Sequence, residues 1–182
     1  MSEDRQDLAR DDIDISAIAR MTPEATEDDA AVTGETSQYI SFVIGNEEYC
    51  VDIIHVREIK GWVPVTPLPN SPEFMLGVLN LRGVIVPIFD MRCRFGLGRT
   101  DATPLHVMII VAVGERVMGI LVDAVSDILT VGANQVLDVP ELDQRGDRKF
   151  LAGLITHEDK MVALLSLEEL FNLDSIVEKL SA

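Results

Sequence analysis

Few residues of this chain carry the side chains of catalysis, and their spacing does not combine them. The histidines His55, His106 and His157 stand far apart, with no HxH or HxxxH step for a metal. His55 and His106 fall in strand-like runs, where a satisfied or surface histidine is the ordinary outcome. Cys50 and Cys93 form no CxxC, and no serine sits in GxSxG. Gly96-Leu97-Gly98 is a lone GxG that lacks the third glycine, the preceding strand and the following helix of a nucleotide site, so it reads as a flexible turn. Glu168-Glu169 opens a helix, where carboxylates complement the macrodipole rather than exchange protons. No catalytic set, metal site or cofactor is therefore expected. The chemistry that remains is recognition. Asn80 and Arg82 are polar islands in a run otherwise apolar from Met75 to Phe89. A rigid Arg fork flanked by aliphatics is the make-up of a protein-docking contact. A wet hairpin tip also carries charge simply because it is wet. The residues alone leave both readings open.

The run that holds Arg82 is long enough for two strands, with Arg82-Gly83 as the bend and Gly83 free to take a positive φ. Structure is expected to begin near Gln38. Tyr39 to Ile44 reads as a strand, Gly45-Asn46-Glu47-Glu48 as a turn and Tyr49 to Ile53 as the returning strand. The same pattern recurs. Phe42 to Glu47 and Val51 to Ile59 align with Val111 to Arg116 and Ile120 to Ile128 at an offset of 69. Gly77-Val78-Leu79 and Ile85 to Met91 align with Gly153-Leu154-Ile155 and Met161 to Leu167 at an offset of 76. The extra seven residues fall in the polar stretch from Val131 to Phe150. This is a duplicated unit of about five short strands, closely spaced, which predicts antiparallel sheets or small barrels rather than βαβ units. Helix is minor: a turn at Ser71 to Met75 with Ser71 as cap and Pro72 in first position, and a closing helix whose Ser166 and Glu169 form a capping box. Leu167, Leu170, Phe171 and Leu173 would face the strands. Two such units side by side share an apolar seam that supplies burial each lacks alone.

Composition sets the outer limits. The 182 residues are 47% hydrophobic but only 5% aromatic, so Val, Ile and Leu must build the core. No apolar run reaches the roughly 18–20 residues of a membrane span. The start MSEDRQD lacks the basic and apolar regions of a signal peptide, and two isolated cysteines predict a reduced, cytoplasmic protein. A net charge of −16 argues against nucleic acid and against an anionic membrane surface. Half of that charge lies in residues 1–36, which hold eleven acids and three Arg and are expected to form a disordered tail. Within the tail, Ile13, Ala17, Ile18 and Met21 lie roughly on one helical face, which admits a partner-induced helix.

From Gln38 to Leu180 the chain resembles the CheW family, adaptors that couple bacterial chemoreceptors to the histidine kinase CheA. The resemblance rests on Gly45-Asn46-Glu47-Glu48-Tyr49, Val51-Asp52-Ile53, Val56-Arg57-Glu58-Ile59, the stretch Gly77 to Ile88, Gly119 to Asp123 and Val125 to Leu129. It implies an all-β domain over 37–182: two five-stranded SH3-like barrels, the first over about 37–100 and the second over about 101–182, with short helices and a C-terminal helix. It implies no enzymatic activity. It implies two partners, the CheA regulatory domain and the cytoplasmic tip of methyl-accepting receptors, and a place in receptor arrays at the inner membrane. The receptor groove would comprise Val56, Glu58, Gly77, Asn80, Arg82, Val107, Gly119 and Val125. Glu58 and Arg82 would pair, as an exposed pair worth about 0–1 kcal/mol that orients Arg82. The kinase surface would comprise Trp62, Val65 and Leu68 on a segment whose three prolines forbid regular pairing, and Val139 and Leu142 in the second unit. Trp62 is either an interface anchor or a barrel plug. Leu137 stands where the family often has a basic residue. The second hairpin carries Thr156, Glu158 and Asp159 in place of Asn80, Arg82 and Gly83, which makes the first tip the receptor candidate. Two other readings stand beside it: the same adaptor in a parallel chemosensory or twitching-motility pathway, which the sequence does not separate from the first, and a small-molecule-binding module, for which no phosphate loop or basic pocket is visible.

Overall fold

The computed structural model describes residues 34–140 and 149–172. The expected acidic tail, Leu142 and Leu173 therefore lie outside the described residues, apart from the tail's last three positions. The strands are β1 (Thr36–Ile44), β2 (Glu47–Asp52), β3 (Val56–Gly61), β4 (Met75–Leu81), β5 (Val84–Asp90), β6 (Val107–Val113), β7 (Arg116–Val122), β8 (Ala124–Gly132), β9 (Val136–Leu137), β10 (Leu151–His157) and β11 (Lys160–Leu165). Helix is confined to single turns, α1 (Met91–Arg94) and α2 (Leu167–Leu170), and two three-residue 3₁₀ segments.

The hairpins form where the sequence places them. Gly45 and Gly114 take φ values of 64° and 60° at equivalent turns of the two units. The first turn is tighter than expected: only Gly45-Asn46 turns, and Glu47 and Glu48 already belong to β2. The turn at Ser71 to Met75 is closed by the Met75 N–H on the Pro72 carbonyl, but the Ser71 hydroxyl caps nothing and donates back to the Leu68 carbonyl. At α2, Ser166 Oγ accepts from the Glu169 N–H, half of the expected capping box. The other half is absent because the Ser166 N–H donates to the Phe150 carbonyl instead.

The duplication is real, but its halves are interleaved. One sheet has the order β8-β1-β2-β11-β10-β9, the other β3-β6-β7-β5-β4. Replacing each strand of the second sheet by its repeat equivalent reproduces the first five strands of the first sheet. Each unit's leading hairpin thus lies in the sheet built by the other unit's trailing strands. Strands of different units meet in two parallel pairs, Ile88 to Asp90 along Gly119 to Leu121 and Ala163-Leu164 along Tyr49-Cys50, and in the antiparallel pairs of β1 with β8 and β3 with β6. The expected division into 37–100 and 101–182 therefore does not describe the sheets. The physical cause is at the corners. Only Ile53 to His55 separate β2 from β3, and only Asp123 separates β7 from β8, so the chain changes sheets at those points. The six-stranded sheet exceeds the expected five because β9, within the long polar connection, adds Leu137 and Val136 to the edge of β10.

The cores follow from this exchange. On β1 and β6, Ile40, Phe42, Ile109 and Val111 point into a central core shared by both sheets. Alternate residues point the other way: Tyr39 joins a second cluster with Cys50, Leu129 and Ile155, while Met108 and Ile110 join a third with Val86, Ile88 and Leu121. Strands buried on both faces need continuous rather than alternating apolar sequence. The few aromatics are concentrated at the shared seam, where Phe95 stacks on Tyr49 (5.0 Å) and tilts against Phe150 (6.0 Å), and Phe89 packs on Phe171 (5.1 Å).

Candidate recognition site

Arg82 and Gly83 are the two central residues of the β4–β5 turn, with φ values of 51° and 86°. Positive φ at both positions matches the right-handed twist of a two-residue hairpin, at a cost that Gly83 avoids and Arg82 bears. The Asn80 side-chain oxygen accepts the Gly83 N–H at 2.8 Å and holds the turn from beneath. Arg82 Nη1 lies 3.1 Å from Glu58 Oε2, with 76% of the Arg side chain exposed but only 11% of the Glu. The expectation of an exposed pair is corrected here: a sheltered carboxylate aims an exposed guanidinium. Glu58 reaches that position through a bulge between Val56 and Glu58 on β3, which re-aims the side chain. Glu58 Oε1 is buried without a hydrogen-bond partner among the described residues. The pair also joins opposite edges of one sheet, since β3 and the β4–β5 turn are separated by β6 and β7. The sheet is therefore curled enough for a side chain of β3 to reach the β4–β5 turn.

Around the tip, Val84 and Ile85 are among the most exposed large apolar residues, at 53% and 60%. Val56 is buried in the shared core, and Val107 and Val125 are half-buried against it. These three line the seam between the sheets. Gly77 and Gly119 have a packing reason to be glycine. A Cβ on Gly77, at φ 150°, would strike the Thr66 carbonyl, and one on Gly119 would strike the Ile88 and Ile110 side chains. Gly119 itself is buried.

The proline segment is strapped across the free edge of β4. Thr66 exchanges two backbone hydrogen bonds with Val78 (2.9 and 2.8 Å), a single bridge that the prolines at 64 and 67 permit between them. Trp62 N–H donates to the His106 carbonyl at 3.0 Å. Trp62, Val63 and Val65 are half-buried against the cluster of Val86, Ile88 and Ile110, while Leu68 is 41% exposed. Val139 is half-buried and Leu137 is exposed at 48%. The second hairpin turn repeats the geometry of the first without glycine: Glu158 and Asp159 have φ values of 46° and 63°. Met161 is exposed at 59%, as its repeat equivalent Ile85 is.

Three polar anchors escaped the sequence reading. Asp90 is fully buried and accepts from Arg92 N–H, Cys93 N–H, Thr100 N–H (2.6 Å) and the Thr100 hydroxyl (2.6 Å). Its capping role was legible, because an Asp before a short helix is an ordinary N-cap; Thr100, ten residues on, was not. Asp123 Oδ2 accepts the Gly45 N–H at 2.7 Å and so ties the corner of one sheet to a turn of the other. Arg94 lies 4.5 Å from the ring centres of both Phe74 and Phe150 and donates to the Leu170 carbonyl; burial lowers its pKa. Burial pushes the Cys50 thiol up to about 12, with Glu48 and Asp52 adding to the shift. The Cys93 thiol is raised too, mainly by burial and then by Asp90. Neither is a thiolate nucleophile near neutral pH. Among the described residues no three His, Cys, Asp or Glu side chains come together to hold a metal ion, and no helix is long and apolar enough to cross a membrane.

The model of the CheW-like domain matches residues 38–175. A probable chemotaxis protein CheW of Rhizobium etli is 46% identical over 135 residues, which cover 74% of this chain and 87% of that protein. The chemotaxis protein CheW of Klebsiella aerogenes is 41% identical over 143 residues, covering 78% and 86%. Among solved structures, a scaffolding protein CheW from Thermoanaerobacter tengcongensis superposes with a TM-score of 0.69 at 31% identity, covering 78% of this chain and 91% of that one.

Proposed function

The chain belongs to the CheW-like domain family, and on that premise we propose that it is a non-catalytic chemotaxis adaptor that couples methyl-accepting receptors to the histidine kinase CheA. The observation that carries the reading is the tip at Arg82. An exposed guanidinium is held by a sheltered carboxylate and flanked by exposed Val84 and Ile85. Arg and aliphatic groups on a rigid turn are a preorganised docking surface, since little side-chain freedom is left to lose on binding. The receptor tip would contact Arg82, Asn80 and the seam at Val56, Val107 and Val125, with Glu58 orienting Arg82 and Gly77 and Gly119 shaping the backbone beneath. The kinase regulatory domain would contact Leu68 and the exposed parts of Trp62 and Val65, and Val139 with Leu142 in the second unit. In this role the protein works in the cytoplasm, at receptor arrays on the inner membrane. The test is retention of the full chain by an immobilised CheA regulatory domain and, separately, by a receptor hairpin fragment. Binding to both is expected. Binding to neither would overturn the adaptor reading, and binding to one would remove the corresponding half of it.

A further inference from the structure

The two units place different charges at the same corner of the fold. On β3, Val56 pairs with Val111 and Glu58 with Ile110, and the register breaks between them. On β8, Val125 pairs with Phe42 and Asp127 with Ser41, and the register breaks at the same place. Phe42 and Ser41 are the repeat equivalents of Val111 and Ile110, so Asp127 occupies the place of Glu58. The facing turns match as well. Arg82 and Gly83 lie between the paired Leu81 and Val84, and Glu158 and Asp159 between the paired His157 and Lys160, all four at positive φ. In one sheet β6 and β7 separate the bulged strand from the turn, and in the other β1 and β2 do. The first unit shows what this corner accommodates, a guanidinium 3.1 Å from a carboxylate. The second unit has carboxylates at both positions and a third at Asp159. Asp127, Glu158 and Asp159 are exposed, and none of them has an ion pair among the described residues. Lys160, next in sequence, offsets one of the three charges and leaves two.

We infer that this second corner takes an Arg or Lys side chain of the receptor hairpin, which supplies from outside the cation that Arg82 supplies within the first unit; the inference rests on the adaptor reading. The corner is continuous with the seam assigned to the receptor. Val125, two residues before Asp127, is half-buried against the shared core, just as Val56, two residues before Glu58, is buried in it. Met161 adds exposed apolar surface beside the acids, as Ile85 does beside Arg82. A long basic side chain suits that pairing, because its stem covers apolar surface while its head reaches carboxylates. The three carboxylates do not converge as metal ligands would. A partner in the seam therefore meets a cation on one unit and carboxylates on the other. One orientation sets its acid on Arg82 and its base on Asp127 and Glu158, and the reverse brings like charges together. Charge thus fixes the direction in which the receptor hairpin lies.

The test uses the full chain and titrates a receptor hairpin fragment by calorimetry. Asp127→Asn/Glu158→Gln is expected to bind about fivefold more weakly than the parent at about 0.1 M salt. The gap is expected to close to under about twofold at about 1 M, where the screening length is about 3 Å. Asn keeps the oxygen that accepts the Ile128 N–H at 2.7 Å, and both positions are exposed, so a parent-like Tm is expected. Glu158→Arg is expected to weaken binding about tenfold or more, through repulsion of the incoming cation. Asp101→Asn/Glu115→Gln removes the same charge from exposed positions in two other loops and is expected to bind as the parent does. Parent affinity in both Asp127→Asn/Glu158→Gln and Glu158→Arg would overturn the inference and leave the adaptor reading standing. So would an equal loss in the Asp101→Asn/Glu115→Gln variant, which would report net charge alone. Failure of the parent itself to bind the fragment would overturn the receptor half of the adaptor reading and this inference with it.

Discussion

Replacing Arg82 by glycine separates binding from stability. Arg82 has a φ of 51°, and the left-handed region costs a residue with a Cβ about 1–2 kcal/mol. Glycine relieves that cost, but its freer unfolded chain takes back about 0.4–1 kcal/mol. Loss of the contact with Glu58 costs about 1–3 kcal/mol, because it leaves a carboxylate that is only 11% exposed without its partner. The relief of the backbone offsets part of that loss. Arg82→Gly is expected to be less stable than the parent by no more than about 2 kcal/mol, a Tm fall of no more than about 8 °C in a chain of this size. Arg82→Ala loses the pair without relieving the backbone and is expected to be less stable than Arg82→Gly by about 0.5–1 kcal/mol. Both variants are expected to lose about tenfold or more in affinity for a receptor hairpin fragment, since an Arg anchor at an interface contributes upwards of about 1.4 kcal/mol. Thermal unfolding by circular dichroism and titration calorimetry with the fragment read the two effects separately. Parent-like binding by Arg82→Gly would refute the assignment of the tip. A Tm fall of about 10 °C or more would refute the strain argument.

Gly77→Ala is expected to destabilise by about 2–4 kcal/mol, from a strained φ and a clash with the Thr66 carbonyl; denaturant unfolding measures it, and a neutral result would show that the strap can lift. Asn80→Ala should cost about 1 kcal/mol by freeing the Gly83 N–H, with a weaker effect on receptor binding than Arg82→Ala. Trp62→Ala is expected to lower both stability and kinase binding, whereas Leu68→Ser should lower kinase binding alone; equal Tm losses would mean that Leu68 packs more tightly than its 41% exposure indicates. The Cys50 thiol stays protonated up to about pH 12 in the folded chain but ionises near its ordinary 9.0 when unfolded. Its contribution to stability is therefore full below pH 9 and is lost as pH rises toward 12. Unfolding free energies measured in a Cys50→Ala background should decline less over that range.

What was legible in the sequence was local or repetitive. The Arg82-Gly83 bend, the Gly45 and Gly114 turns and the match between units depend on residues a few positions apart or on direct alignment. The exchange of hairpins between sheets was not legible. It rests on β2 meeting β11 and β5 meeting β7, and apolar strands buried on both faces carry no mark of which neighbour they will choose. The pairing of Glu58 with Arg82 followed from the family resemblance, but the shelter around Glu58 did not, since it lies beside a break in the strand register that the sequence does not mark. The strain at Arg82 was missed for a related reason. Glycine at 83 accounts for one positive φ, while a two-residue turn of this hand needs two. Asp123 looks like an ordinary surface acid until Gly45 is brought to it, and the reach of Asp90 beyond its cap to Thr100 is hidden in the same way.

The interleaving of the two units has a cost paid on the ribosome. Tyr49 finds its parallel partner only at Ala163, more than a hundred residues later. At about 5–20 residues per second, the outer edge of β2 waits roughly 6 to 23 s for its neighbour to be made. During that interval an apolar hairpin with an open edge is available to other chains. The nascent first half cannot close a sheet from its own strands, so it is a client for chaperones and a hazard under overexpression. Slow elongation through the second half should lower soluble yield, and co-expression of the halves as separate chains should rescue folding only when both are present.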